Sequence, residues 1–156
     1  LNAVHVELGR DLSISRLHWM NVGSEHIMVF IEDIANPKIS SIGNVEIDKW
    51  GSLLRFHETF QPNGANANFV QKTGENELRL RTYERGVDRE TLACGTGIIS
   101  SAITAGLLGM VKSPVRVVVQ SGEKLVVNFE VTGSGIEHVS LTGSVQIGRA
   151  SSRERV

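Results

Sequence analysis

From Ile98 to Leu108 the chain is apolar or small on every side, with Gly109 placed to end the run. A helix with that surface has no face to give to water and must be enclosed. The segments around it read mostly as strands, so the wrapping is a sheet. The expected fold is α+β: a mostly antiparallel sheet rolled around one buried central helix.

The strand signals are of two kinds. Val4–Leu8 alternates apolar and polar residues, as a half-buried strand does, whereas His26–Ile31 is nearly continuous, as a strand covered on both faces would be. Gly9–Ser15 reads as a polar break, Leu17–Asn21 as a short strand, and Val22–Glu25 as a turn. After the break at Asn36-Pro37, a short helix is expected around Asp48–Phe56, although Gly51 interrupts it. Asn66–Gln71 and Glu77–Glu84 are strands around a turn at Thr73–Asn76. On the second of these, Leu78, Leu80 and Thr82 share a face, and period two puts Glu84 on that same apolar side. Val115–Gln120 and Lys124–Val131 flank the hairpin signal Ser121-Gly122-Glu123. Glu137–Leu141 and Val145–Gly148 close the pattern.

The helix is entered through Cys94-Gly95-Thr96-Gly97, and Cys94 is the single cysteine of the chain. Free backbone N–H groups and the positive end of the helix dipole meet at such a start. A thiol there is expected to titrate below a free cysteine, and the same N–H groups can hold a carboxylate or phosphate beside it. The competing reading is a small, buried packing residue. One cysteine excludes an internal disulfide framework and suits a reducing cytoplasm.

With 156 residues the chain suits one domain, or half of a two-lobed protein. A net charge of −1 gives no electrostatic case for nucleic acid or a membrane surface, and no apolar run is long enough to span a bilayer. No Cys/His cluster has metal-ligand spacing, so no metal is expected. There is no signal-peptide pattern at the start. The chain begins at Leu1 without Met, and 149–156 reads as a non-native or disordered tail behind a lobe of 1–148.

Tyr83-Glu84-Arg85-Gly86, followed by Glu90-Thr91-Leu92-Ala93-Cys94-Gly95-Thr96-Gly97, resembles the C-terminal half of diaminopimelate epimerases. Gly23-Ser24-Glu25-His26 and Asn63-Gly64-Ala65-Asn66-Ala67-Asn68-Phe69-Val70 match in the same order, so the resemblance covers nearly all of Val4–Ile147. It implies an enzyme that isomerises LL-diaminopimelate to the meso form, for lysine and cell-wall precursors, with no pyridoxal phosphate or other cofactor. Two cysteines, one per lobe, would act on opposite faces of the substrate α-carbon. By this match Cys94 is the acid/base of one lobe, and Gly95 and Thr96 offer donors to the reacting carboxylate. Asn66, Glu84 and Arg85 bind the distal amino-acid end, while His26 and Ser24 support the site.

The resemblance also implies an N-terminal lobe with its own cysteine as partner, and it leaves a homodimer open. Three departures stand out: Asp88-Arg89 lengthens the loop before Cys94, Glu25 replaces a customary proline, and Ser24 a common asparagine. Proline and hydroxyproline racemases are the second reading, though there a histidine usually follows the Cys-Gly pair, where this chain has Thr96. Phenazine-type isomerases use a carboxylate in place of the thiol. A non-catalytic binding lobe of the same fold is the reading outside enzymes.

Overall fold

The computed structural model of the chain describes residues 2–7, 13–143 and 153–155. In order these form β1 (Asn2–Glu7), β2 (Ser13–Asn21), β3 (Glu25–Phe30), α1 (Ile47–Arg55), β4 (Asn66–Gly74), β5 (Glu77–Glu84), β6 (Arg89–Thr91), α2 (Gly95–Leu107), β7 (Val115–Val118), β8 (Lys124–Thr132), β9 (Gly135–Gly143) and β10 (Arg153–Arg155). Short 3-10 turns occupy Ile31–Asp33, Ile42–Asn44 and Glu58–Phe60. One sheet carries the strands in the order β1-β2-β3-β4-β5-β7-β8-β9-β10, with β6 beside β5. No helix among the described residues is long and apolar enough to cross a membrane.

The α+β architecture expected from the buried helix is the one observed. Every residue of α2 from Gly97 to Ala105 is buried. Around it the sheet contributes Met28, Phe30, Val70, Leu78, Leu80, Val115, Val117, Val127 and Phe129. Removing Ile98, Ile99 and Ile103 from water stabilises this core by about 2 kcal/mol apiece.

Most strand pairs are antiparallel, but β3 pairs with β4, and β5 with β7, in parallel. A parallel neighbour needs a crossover, and here α1 lies in the first and α2 in the second. Crossovers are right-handed, and β5 runs opposite to β4 while the order advances the same way across the sheet. The two helices must therefore fall on opposite faces. They do: Ile27, Val29, Ala67, Phe69 and Tyr83 join Trp50 and Leu54 of α1 in one core, whereas Met28, Phe30, Val70 and Leu80 join α2 in the other. This two-sided burial is why β3 reads as an unbroken apolar run.

Several boundaries differ from the sequence reading. β2 begins at Ser13, inside the expected polar break, because Ser13–Glu7 and Ile14–Val6 pairing with β1 extends it. β6 was not expected: Arg89-Glu90-Thr91 carries no apolar pattern. It is held by polar bonds instead, with Arg81 making a two-pronged ion pair to Glu90 at 2.7 and 2.7 Å, and the Glu90 N–H donating to Asp48 at 2.7 Å. β9 continues to Gly143, past the expected stop at Leu141. The expected strand Val145–Gly148 lies outside the described residues. Of the tail, 153–155 pairs antiparallel with β9.

Gly51 tests how tightly α1 is pressed onto β5. A Cβ there would come within 2.4 Å of the Tyr83 Cβ. Helix propensity alone would favour alanine by about 1 kcal/mol, but the overlap with a strand-bound Cβ cannot be relieved by rotating a side chain. Gly51→Ala is expected to destabilise the chain by about 1–3 kcal/mol, read as a lower urea midpoint at an unchanged slope.

Candidate active site

The registers of β3, β4 and β5 bring the polar residues of three strands into two rows on the α2 face. His26 pairs with Asn66, and Ala67 with Tyr83, which sets Asn66 opposite Glu84; one step deeper, Asn68 pairs with Thr82. The start of α2 stands over these rows. Cys94 occupies the N-cap position with extended backbone, φ −137° and ψ 111°. The structure thus brings Ser24, His26, Asn66, Glu84, Arg85, Cys94, Gly95 and Thr96 to one end of the enclosed helix.

Hydrogen bonds tie the group together. The Thr96 hydroxyl lies 3.7 Å from the Cys94 sulfur, 2.8 Å from His26 Nε2 and 3.1 Å from the Ser24 hydroxyl, and Ser24 is itself 3.0 Å from His26 Nε2. Thus Ser24, standing where an asparagine is common, still reaches the cluster. Asn66 is a strut rather than an open ligand: its amide donates to the Glu25 carbonyl at 3.0 Å and accepts from the Arg85 N–H at 2.8 Å. The Arg85 guanidinium donates to the carbonyls of Asn63 and Gly64 at 3.3 and 3.2 Å and lies 3.6 Å from the Glu25 carboxylate. Glu25, in place of a proline, therefore supplies an ion pair that braces the loop carrying Arg85.

The thiol does not have the lowered pKa expected of a helix start. Burial of the half-buried sulfur pushes Cys94 above the ordinary 9.0, and this outweighs every contribution in the other direction. The Gly97 N–H faces the sulfur without closing a full cap hydrogen bond, and it favours the thiolate, as does the Thr96 hydroxyl. The Glu84 carboxylate opposes them twice, by its charge and by accepting from the S–H. Water withdrawn from a nascent thiolate costs more than a few dipoles return. Glu84 thus sits at the thiol itself, leaning inward as its strand position predicted.

His26 is fully buried, and burial is the main reason its pKa falls to about 4, with the Arg85 charge adding to the effect. At neutral pH the imidazole is uncharged. Two residues absent from the sequence-derived set complete the site: Asn68 and Thr82, both buried, the first bonded to His26 Nδ1 at 3.0 Å and the second donating to Asn68 at 2.8 Å. The signal for Asn68 was available, since it lies two residues beyond Asn66 on the same face of β4, in a stretch whose neighbours Ala67, Phe69 and Val70 are apolar. No group of three His, Cys, Asp or Glu residues suited to a metal ion occurs among the described residues.

Comparison with known proteins points one way. A family model described as diaminopimelate epimerase matches residues 18–148. The diaminopimelate epimerase of Aquifex aeolicus (strain VF5) is 45% identical over 128 residues, which are 81% of this chain and 42% of that protein. The corresponding protein of Hydrogenobaculum sp. (strain Y04AAS1) is 39% identical over 127 residues, 81% of this chain and 44% of its own length. The chain therefore spans less than half the length of these curated relatives. Two solved structures share the fold. One is a Bacillus anthracis phenazine biosynthesis protein of the PhzF family (TM-score 0.51, 12% identity, 92% of this chain and 40% of that one). The other is a probable proline racemase from Agrobacterium radiobacter K84 (TM-score 0.51, 15% identity, 84% and 41%).

Two titrations test this site. Iodoacetamide labelling of Cys94 is expected to show a midpoint above 9.0, and Glu84→Gln to lower it, because both of the carboxylate's contributions favour the S–H form. A midpoint below that of a free thiol would mean that the helix-start dipoles win after all. For His26 the folded pKa of about 4 lies below the ordinary 6.5, so the unfolded chain binds the extra proton between those values. The stabilisation is present above pH 6.5 and is lost as pH falls through about 4; it amounts to on the order of 3 kcal/mol. His18 is shifted in the same direction, so the readout is the difference between the parent chain and His26→Gln. The variant should show a flatter dependence of the urea midpoint on pH across that window.

Proposed function

Because this chain belongs to the diaminopimelate epimerase family, we propose that it carries one of the two proton-transfer sites of a cofactor-independent amino-acid epimerase, interconverting LL- and meso-diaminopimelate. The observation that carries the reading is the placement of Cys94: at the start of a buried helix, against a carboxylate, with a hydroxyl and helix-start N–H groups around it. A general acid or base must lie within reach of the proton it moves and be able to exist in both protonation states. The thiol of Cys94 meets this through Glu84. As an acid, Cys94 gives its S–H proton to the α-carbanion and becomes a thiolate. As a base, it first passes that proton to Glu84, and the thiolate then takes the α-proton of the substrate.

The neighbouring groups fit an amino-acid substrate. The backbone N–H groups of Gly95 and Thr96 and the Thr96 hydroxyl suit a carboxylate whose charge grows as the α-proton leaves. Glu84 offers its charge to an ammonium group. Asn66 and Arg85 are assigned to the distal end of the substrate, Asn66 by holding the Arg85 backbone in place and Arg85 through the N–H groups that its loop contacts leave over. His26 and Ser24 support Thr96. Leu92 and Ala93, immediately before Cys94, are exposed, Leu92 at 66%, a large apolar side chain at the rim of the site. The relatives are more than twice as long as the matched region, and the remainder of such a protein would cover this rim and bring a second acid/base to the other side of the substrate.

Inversion needs a donor and an acceptor on opposite faces of one carbon, and Cys94 reaches one face only. The 156-residue chain alone is therefore expected to show no change of optical configuration above background when α-deuterium wash-in from heavy water is followed with LL-diaminopimelate. The complete protein should invert with solvent deuterium incorporated, and Cys94→Ala in it should abolish turnover. Glu84→Gln in the complete protein should lower turnover strongly while the melting temperature barely moves. Inversion by the short chain at an enzyme-like rate would overturn the two-sided reading, and full activity of the Cys94→Ala protein would leave the chain a binding lobe.

A further inference from the structure

Behind the thiol, the hydrogen bonds have a readable direction. The Ile27 carbonyl can only accept, so the Asn68 atom 3.0 Å from it is the NH2 nitrogen. The Thr82 hydroxyl, 2.8 Å from the other amide atom, then donates to Oδ1 and agrees with that orientation. The second hydrogen of the Asn68 amide faces His26 Nδ1 at 3.0 Å, which must accept. A neutral imidazole that accepts at Nδ1 carries its proton on Nε2. That N–H lies 2.8 Å from the Thr96 hydroxyl oxygen, which accepts and keeps its own hydrogen for another acceptor, the Ser24 hydroxyl at 3.1 Å or the Cys94 sulfur at 3.7 Å, a thiolate being the stronger acceptor of the two.

The opposite tautomer would turn Nδ1–H against the Asn68 NH2, two donors facing each other where neither side chain meets solvent. It would also leave Nε2 bare, and a bare Nε2 at 2.8 Å takes the Thr96 hydrogen in preference to a sulfur at 3.7 Å. The fit around the amide is close: a Cβ on Gly97 would stand 2.5 Å from Asn68 Oδ1, so the first turn of α2 rests directly on it.

We propose that Asn68 is a positioning residue that holds His26 in its Nε2–H tautomer and thereby reserves the Thr96 hydroxyl hydrogen for the anion formed at the site, the Cys94 thiolate in the absence of substrate. This rests on the reading of Cys94 as the reacting thiol, and it adds a residue that touches neither substrate nor sulfur. The order Thr82, Asn68, His26, Thr96, Cys94 is then a chain of donors all pointing toward the site. The charged group acting on His26 is Arg85, which disfavours the imidazolium and keeps the two-tautomer choice in play.

The test begins with nitrogen-15 NMR of the 156-residue chain at neutral pH, correlating ring nitrogens with ring carbon-bound hydrogens. His26 is expected to show a protonated Nε2 and a bare Nδ1; a protonated Nδ1 in the parent chain overturns the proposal without bearing on whether the complete protein epimerises. Asn68→Asp replaces the donor by an acceptor and should move a proton onto Nδ1. The new carboxylate also acts on the thiol through space, so alkylation of Cys94 is compared in two backgrounds. Asn68→Asp should slow labelling near neutral pH about tenfold in the parent, equivalent to one pH unit at the thiol, and by less than about threefold in Thr96→Val, where no hydroxyl remains to redirect. Equal slowing in both backgrounds would show that the effect bypasses Thr96 and sink the relay. Failure of the short chain to invert a substrate leaves these readouts intact.

Discussion

The structure depends on enclosing α2. An apolar helix cannot sit on a surface, so strands must surround it, and surrounding it with connected strands requires the sheet to curl. The parallel crossovers follow, because the helix lies between β5 and β7 in the chain and must return the strand on the same side. Their handedness sends α1 to the other face, and the sheet between them becomes dry on both sides. One decision about hydrophobic burial thus fixes the layers, the unbroken apolar pattern of β3, and the places where the helices press on the sheet.

The same enclosure sets the electrostatics. At the start of α2 the buried polar residues His26, Asn66, Asn68 and Thr82 enter the interior together and in register, as two rows across β3, β4 and β5. Burial raises Cys94 and lowers His26, so the neutral form of each is favoured. A thiol at a helix start is commonly expected to ionise easily. Here the helix is buried, and the desolvation that makes it a stable core element also removes the water that would stabilise the thiolate. The dipole argument describes an exposed helix end better than this one.

Much of this was legible in the chain. The composition of 98–108 demanded enclosure, the period of β5 turned Glu84 inward, and the glycines around Cys94 marked the helix entry. What could not be read came from interactions that leave no periodic trace. β6 exists because Arg81 and Asp48, eight and more positions away, hold a polar tripeptide in place. Arg85 and Asn66 brace each other and Glu25, so residues that resemble substrate ligands also carry the loop that presents them. Asn68, like Asn66, interrupts the apolar start of β4, and its burial demands partners that only the fold supplies, which lead to His26.

A resting site whose thiol and imidazole are both neutral constrains how catalysis could begin. Cys94 holds a proton it can give at once, so the acid direction needs no preparation. On the proposed reading the base direction needs the proton moved off the sulfur, and in the free chain the ionised Glu84 carboxylate disfavours its loss. An arriving ammonium group would offset the Glu84 charge, and a carboxylate taken up by the helix-start N–H groups would claim donors that otherwise favour the thiolate. The two ends of an amino acid thus act on the sulfur in opposite senses. Opposite charges within a few ångströms commonly shift a pKa by 1–3 units, so the ammonium can tip the balance if it lies closer to the sulfur than the carboxylate does. On the proposed reading the substrate supplies the charge that the protein withholds, and the thiol becomes basic only when there is something to deprotonate.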